Sequence, residues 1–121
     1  MVLSLSMIII LTKKNTPEQL KKVSKDLEGY IKFVVDLEKG ILAAGGKMHF
    51  EDEKKLLDNG SKQENLWGGG WDLESSELDY DSMINIRPAQ GNPSREVLSQ
   101  EIRVQMEKIV KDLLITRVHK I

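Results

Sequence analysis

The stretch YIKFVVDL at residues 30–37 decides the fold of this chain. Its residues alternate between two sides, as in a β-strand, with a consistently apolar set on one face. The turn residues Glu38-Lys39-Gly40 follow, and residues 41–44 return as the second arm of a hairpin. The chain is therefore predicted to contain an antiparallel sheet. The apolar face of the first arm comprises Ile31, Phe33, Val35 and Leu37.

Upstream of this hairpin, the sequence predicts a strand and then a helix. Residues 7–11 form a mainly β-branched run that is typical of a buried strand. Thr16-Pro17-Glu18-Gln19 is a helix start in which Thr16 is the N-cap and Gln19 completes a capping box. The helix is predicted to end at Gly29.

Downstream, the pattern predicts a helix, a second hairpin and a final helix. Residues 51–59 form a short charged helix, and residues 66–73 and 78–87 form the hairpin. Ser99 caps the final helix, whose apolar residues follow at helical spacing. Leu78, Tyr80, Ile84 and Ile86 are expected to pack on that helix through Ile102, Met106, Ile109 and Leu113, with Asp79 and Asp81 in water on the opposite face.

The element order is thus β-α-ββ-α-ββ-α. We predict an α+β fold with two layers, in which helices pack on one side of a mostly antiparallel sheet. The 121 residues suit a single domain spanning 1–121, with residues 1–6 as either a start extension or part of the first strand.

Composition excludes several classes of function. The 18 basic and 19 acidic residues nearly cancel, so no basic excess favours duplex DNA or an anionic membrane. The chain has no cysteine, which removes disulfides, thiolate nucleophiles and cysteine-ligated zinc. The apolar start is too short to span a bilayer and lacks the charged start of a signal peptide. We therefore expect a cytoplasmic protein.

His49 is the first candidate for chemistry, because it lies between Gly45-Gly46 and Glu51-Asp52 at a strand-to-helix junction. A histidine near carboxylates can bind a ligand or move protons, which makes His49 a candidate acid or base. The only other histidine is His119, so no metal or other cofactor is expected. The alternative is a histidine that bonds backbone in a turn.

A second candidate is the polar loop at residues 85–95. It combines arginines, asparagines, glutamine and serine with glycine and proline, and its arginines suit a carboxylate or phosphate. The alternative is an ordered loop whose polar side chains bond backbone carbonyls. Gly68-Gly69-Gly70 after Trp67 indicates a bulge or a close backbone approach. The candidate ligand-binding residues are His49, Gln63, Asn85, Arg87, Asn92 and Arg95.

The motifs GSKQENLWG at residues 60–68 and SMINIRPAQGN at residues 82–92 resemble those of a family of small, uncharacterised prokaryotic proteins. The resemblance covers nearly the whole chain from Met7 onward. It implies a cytoplasmic protein of one domain and implies no activity.

Three functions remain open at this point. The first is a module that binds a small anionic ligand at residues 85–95, with His49 and Gln63 nearby. The second is a protein-interaction or self-association module, including a homo-oligomer, that uses an exposed sheet edge or the Trp-Gly strand. The third is an enzyme with His49 as acid or base and Arg87 as electrostatic stabiliser. Whether the chain is an enzyme is left undecided by the sequence.

Overall fold

A computed structural model describes residues 8–25 and 27–114. Its centre is a five-stranded antiparallel sheet in the order β1-β3-β2-β4-β5. The predicted α+β class, the antiparallel sheet and the order of strands and helices are confirmed. Met7, His119 and the predicted start extension at residues 1–6 lie outside the described residues. The strands are β1 (Ile9–Leu11), β2 (Tyr30–Asp36), β3 (Ile41–Ala44), β4 (Leu66–Asp72) and β5 (Glu77–Asp79).

Three α-helices begin where side chains satisfy their first amides. In α1 (Pro17–Ser24), Thr16 and Gln19 form the predicted capping box. Ser99 caps α3 (Gln100–Leu113) as predicted, by accepting a hydrogen bond from Ile102. The middle helix, α2 (His49–Asp58), begins two residues earlier than the sequence predicted. None of the described helices is long and apolar enough to cross a membrane.

Helices cover both faces of the sheet, which corrects the expectation of helices on one side. The odd-numbered residues of β2 belong to a major core that includes residues of α1 and α3. Val34 points the other way and packs with Leu56 of α2 in a minor core. The physical reason is that β2 is apolar at Val34 as well, so its second face also needs cover. The minor core comprises Val34, Ala43, Leu56 and Leu66, with Ile8, Ile10, Ile41 and Ile84 packed against it.

The second hairpin is much shorter than predicted, because β5 ends at Asp79 instead of continuing to residue 87. The Asp79 carboxylate accepts a hydrogen bond from the amide of Asp81, and the Ser82 hydroxyl accepts one from the amide of Ile84. These local bonds compete with strand pairing and turn the chain into a short 3₁₀-helix, Met83–Asn85.

The early end of β5 moves two residues out of the predicted core. Leu78 and Tyr80 pack on the major core as expected, but Ile84 packs on the minor core beneath α2. Ile86 is 42% exposed. The predicted common face therefore does not exist beyond Tyr80, since alternation ends with the strand. Asp79 is only partly exposed, which differs from its predicted position in water.

Candidate functional site

The glycines of β4 leave room for side chains to lie directly on its backbone. A Cβ atom on Gly68 would lie 2.8 Å from the Cβ of Ser82 and 3.1 Å from the His49 ring. A Cβ atom on Gly70 would overlap the hydroxyl of Tyr30. The predicted close approach at this triplet is made by the protein's own side chains.

His49 lies over this strand with its ring in a defined orientation. Its Nε2 atom is 2.7 Å from the carbonyl oxygen of Gly69. A carbonyl can only accept, so Nε2 carries the proton and a neutral ring keeps the lone pair on Nδ1. Burial lowers the pKa of His49, which favours the neutral ring at pH 7. No described residue bonds Nδ1, and that atom is not among the buried polar atoms left without a partner.

Polar side chains surround His49 on the same face of the sheet. The Tyr30 hydroxyl donates a 2.5 Å hydrogen bond to Asp79, and burial together with that carboxylate raises the pKa of Tyr30. Lys32 lies opposite Gly70 in the β2–β4 register and is close enough to lower the pKa of His49. We name Tyr30, Lys32, His49 and Asp79 the His49 cluster.

Asp52 lies one turn along α2 from His49 and is completely buried. One carboxylate oxygen accepts a 2.9 Å hydrogen bond from the amide of Gly46, while the other, Oδ2, has no partner among the described residues. Burial raises the pKa of this carboxyl well above its usual range, and the charge of Lys32 opposes that shift. The neutral form of the Asp52 carboxyl is therefore favoured far more than that of a surface aspartate.

The second candidate region, residues 80–98, is the asparagine segment, and Asn85 is its anchor. Asn85 is fully buried, and its side chain bonds both the amide and the carbonyl of Gly68. Its Nδ2 group also lies within hydrogen-bond distance of the carbonyls of Tyr80 and Arg95. Since β5 pairs only with Gly70–Asp72 of β4, Asn85 takes the place of a partner strand at Gly68.

Asn92 has a similar role inside the asparagine segment. Its Nδ2 group bonds the carbonyl oxygens of Asn85, Ser94 and Glu96, and its Oδ1 atom accepts the amide of Leu98. The side chain is 3% exposed. All of its polar atoms are therefore used by backbone groups of the protein.

Arg87 and Gln63 meet at the outer edge of β4. The guanidinium of Arg87 donates to the carbonyls of Gln63 and Leu66 and lies 4.1 Å from the centroid of the Trp67 ring. The Gln63 side chain donates to Glu53 at 3.2 Å. Burial lowers the pKa of Arg87, and the nearby charge of Glu53 opposes that change.

The side chains of Arg95 and Arg87 bond different partners. Its Nε atom donates a 2.9 Å hydrogen bond to Asp81, and both side chains are exposed. The backbone groups of Arg87 and Asn92 pair with each other and close a small loop around Gly91, whose φ of +79° suits glycine. The structure thus brings Gln63 to Arg87 and Asn85 to Asn92, while His49 lies on the α2 side of β4.

Sequence reasoning missed Lys32, Asp52, Tyr30 and Asp79 as members of a polar site. A signal was present, because Tyr30 and Lys32 occupy one face of an otherwise apolar strand and pair in register with Asp72 and Gly70. The register itself could not be read from one sequence. Among residues 8–25 and 27–114, no three His, Asp or Glu side chains are grouped so that they could hold a metal ion.

Comparison with known families gives one match. The family model described as Protein of unknown function (DUF5674) matches residues 9–113. No curated protein and no solved structure matches the chain. The expected resemblance to an uncharacterised family is confirmed, and its function has to be argued from the chemistry of the site.

Proposed function

We propose that this chain, which belongs to the family described as Protein of unknown function (DUF5674), is a binding module for a small anion, with Lys32 and His49 as its ligand-binding residues. The class of ligand is the one expected from the sequence, but the site differs from residues 85–95. The ligand carries an anionic oxygen for Lys32 and a hydroxyl group that donates to Nδ1 of His49. Hydrogen phosphate and a hydroxy acid share this chemistry.

The observation that carries the proposal is the unpaired ammonium group of Lys32. Lys32 is partly buried but forms no ion pair or hydrogen bond with any residue in 8–25 or 27–114. Its ammonium nitrogen is not among the buried polar atoms left without a partner, so it reaches solvent and is open to an anion.

His49 adds selectivity to this charge. Its ring is oriented by the Gly69 carbonyl, so Nδ1 is available as an acceptor. A neutral imidazole accepts a hydrogen bond from a protonated oxygen, and it offers nothing to a fully deprotonated one. The pair Lys32 and His49 therefore favours an anion that retains one O–H group.

No carboxylate among the described residues forms an ion pair with Lys32. Asp79 is engaged by Tyr30, and Asp81 by Arg95. Asp52 has a raised pKa because of burial, which favours its neutral form. The arginines of the asparagine segment are poorer candidates, since Arg87 is already bound to two carbonyls and Arg95 to Asp81.

Calorimetric titration with inorganic phosphate tests the site. We expect saturable binding to the wild type, and a dissociation constant roughly 10- to 150-fold weaker for Lys32→Met, because a charge-assisted hydrogen bond contributes roughly 1.5–3 kcal/mol. Lys55→Met, which removes an exposed lysine from α2, is the matched control and should bind as the wild type does.

Arg87→Met separates this site from the loop site. If Lys32 holds the anion, Arg87→Met lowers the stability of the free protein and leaves phosphate affinity unchanged. Loss of phosphate binding in Arg87→Met, with normal binding in Lys32→Met, would refute the Lys32 site and restore the loop as the binding region.

Acid–base catalysis by His49 is a second candidate, favoured by the same free Nδ1 atom. A neutral imidazole next to a bound hydroxyl can accept its proton. Arg87 is not adjacent to this ring in the hydrogen-bond network, so the electrostatic partner would be Lys32. Turnover of a hydroxylated ligand that is lost in His49→Gln, while binding persists, would establish this role.

A further inference from the structure

The two edges of the sheet differ in their protection. Both edge strands have three residues, but at one edge β5 carries an acidic residue at each end. At the other edge, β1 has the sequence Ile-Ile-Leu and, among the described residues, pairs only with β3. Native edge strands are usually shielded by charges, prolines or bulges within the strand. The described part of β1 has none of these.

The hydrogen-bond register shows which backbone groups of β1 face outward. Gly68 uses its amide and carbonyl to bond Asn85, so these groups point away from β2. Successive residues of an antiparallel strand direct their amide and carbonyl groups to opposite sides of the strand. When this rule is followed from Gly68 through the residue pairs of β2 and β3, Ile9 and Ala44 form a hydrogen-bonded pair. The amide and carbonyl of Ile10 therefore point outward, and no described residue bonds them.

The side chains of this edge are also incompletely covered. Ile8, Ile9 and Ile10 are partly exposed, whereas Ala43 and Ala44 in the adjacent strand are completely buried. Ile9 packs on the major core, and Ile8 and Ile10 pack on the minor core. An added strand would bury apolar surface on both faces of the sheet.

Charge distinguishes the two edges further. Between Ile8 and Lys25 the charged residues are five lysines and one glutamate, although the whole chain has a net charge of −1. The β4–β5 hairpin at the opposite edge is acidic instead, with five carboxylates and no basic residue at positions 72–81. The lysines are Lys13, Lys14, Lys21, Lys22 and Lys25, and the carboxylates are Asp72, Glu74, Glu77, Asp79 and Asp81.

We propose that the β1 edge binds an extended acidic segment of a partner protein by strand addition. The partner's backbone would pair with the outward groups of Ile10, and its carboxylates would interact with Lys13 and Lys14, which follow β1 directly. A nucleic acid could use the lysines but could not supply the alternating donors and acceptors of a strand. Two β1 edges from two copies would bring their own lysines together, which disfavours symmetric self-pairing.

A fluorescence-anisotropy titration tests this edge with a labelled short peptide of alternating glutamate and valine. We expect saturable binding that weakens as salt is added, because the charges are solvent-exposed. The matched control is the same peptide with every backbone amide methylated, which keeps the charge but removes the amide donors from both edges of the strand. We expect its affinity to be lower by at least about tenfold.

Two variants locate the binding. Ile10→Pro removes the outward amide and keeps the inward ladder bonds of Ile9 and Leu11, a change that edge strands tolerate. The double change Lys13→Glu and Lys14→Glu reverses the charge of the two lysines that follow β1. Each should weaken peptide binding by at least about tenfold, with a far-ultraviolet circular dichroism spectrum like that of the wild type. If Ile10→Pro does not fold, the proposal is tested by comparing the affinities of the methylated and unmethylated peptides for the wild-type protein.

Several results would overturn the proposal. Equal binding of the methylated and unmethylated peptides would remove the strand-addition mechanism, and so would the absence of saturable binding. A single-stranded oligonucleotide that binds more tightly than the peptide, and equally well to Ile10→Pro, would assign the lysines to nucleic acid. Concentration-dependent self-association that Ile10→Pro abolishes would assign the edge to a second copy.

Discussion

The β2–β3 hairpin and the asparagine segment have similar sequence patterns but are held together in different ways. Both carry alternating apolar residues next to turn residues. The two arms of the hairpin pair with each other residue by residue, from Phe33↔Ala44 to Asp36↔Ile41. The asparagine segment has only two isolated bridges, and buried side-chain amides bond much of its backbone. Alternation therefore predicts a strand only where side chains do not bond the backbone in place of a partner strand.

This difference assigns the two polar regions different roles. In the asparagine segment, the polar atoms of Asn85 and Asn92 are consumed by backbone groups, as expected for structural residues. On the other side of β4, Lys32 and the Nδ1 atom of His49 have no protein partner among the described residues. The segment that is richest in polar residues thus stabilises the fold, whereas Lys32 and His49 leave polar groups without a protein partner.

The largest expected effect is that of Asn85→Ala. Truncation leaves the buried amide and carbonyl of Gly68 without partners and frees two further carbonyls, so we expect a loss of roughly 3–5 kcal/mol in the free energy of unfolding. Urea denaturation measures this loss. Asn65→Ala is the matched control, because its amide makes one exposed bond to Glu38, and it should cost less than about 1 kcal/mol.

If Asn85→Ala and Asn65→Ala had equal denaturation midpoints, the amide of Asn85 would not replace a strand. The asparagine segment would then be held by apolar contacts, such as those of the buried Val97, and its polar residues would again be candidates for ligand binding.

The second expected effect compares apolar residues in the two regions. Val34→Ala in the hairpin removes a fully buried side chain between β2 and α2 and should cost about 2 kcal/mol. Ile86→Ala should change the stability by less than about 0.5 kcal/mol, since the residue is exposed. The same denaturation series measures both. Similar losses would mean that Ile86 packs as the alternation of residues 78–87 predicted.

A third expected effect concerns a buried polar group that is not fully satisfied. The pKa of Asp52 is raised in the folded state, so its contribution to stability is complete below the unfolded pKa, near 4, and is lost as the pH rises through the folded pKa. Asp52→Asn keeps an acceptor for Gly46 and cannot ionise. We expect the variant to gain stability relative to the wild type as the pH rises from about 4 to 7.

Thermal unfolding at a series of pH values measures this gain, and Asp58→Asn, at an exposed position of the same helix, is the control. A constant difference between Asp52→Asn and the wild type across the series would contradict the assignment of Asp52 as a carboxyl whose ionisation is opposed by burial.

The sequence predicts the fold well where local signals are complete. The capping box at Thr16 and Gln19, the Ser99 cap and the alternation of residues 30–37 each specify a local structure, and all three are present. The prediction fails after Asp79, because the side chains of Asp79 and Ser82 bond nearby amides and end the strand. It also fails for the faces of the sheet, since Val34 on the second face of β2 is apolar and is covered by α2.

The candidate site is only partly predictable, for a related reason. His49 was recognisable as a histidine at a strand-to-helix junction, and the structure confirms its position at the start of α2. Its neighbours Lys32 and Asp79 come from strands distant in sequence, and their approach depends on the register of β2 and β4. The glycines of β4 are visible in the sequence, but the sequence does not show which side chains lie on their backbone.

The most direct test of the central claim is a nuclear magnetic resonance titration of the labelled protein with inorganic phosphate. We predict that the amide shifts concentrate at Lys32, Gly45–His49 and Gly68–Gly70, that the nitrogen signal of His49 Nδ1 moves, and that Lys32→Met removes these changes. Shifts confined to residues 87–95, and unchanged in Lys32→Met, would contradict the account and return the binding site to the asparagine segment.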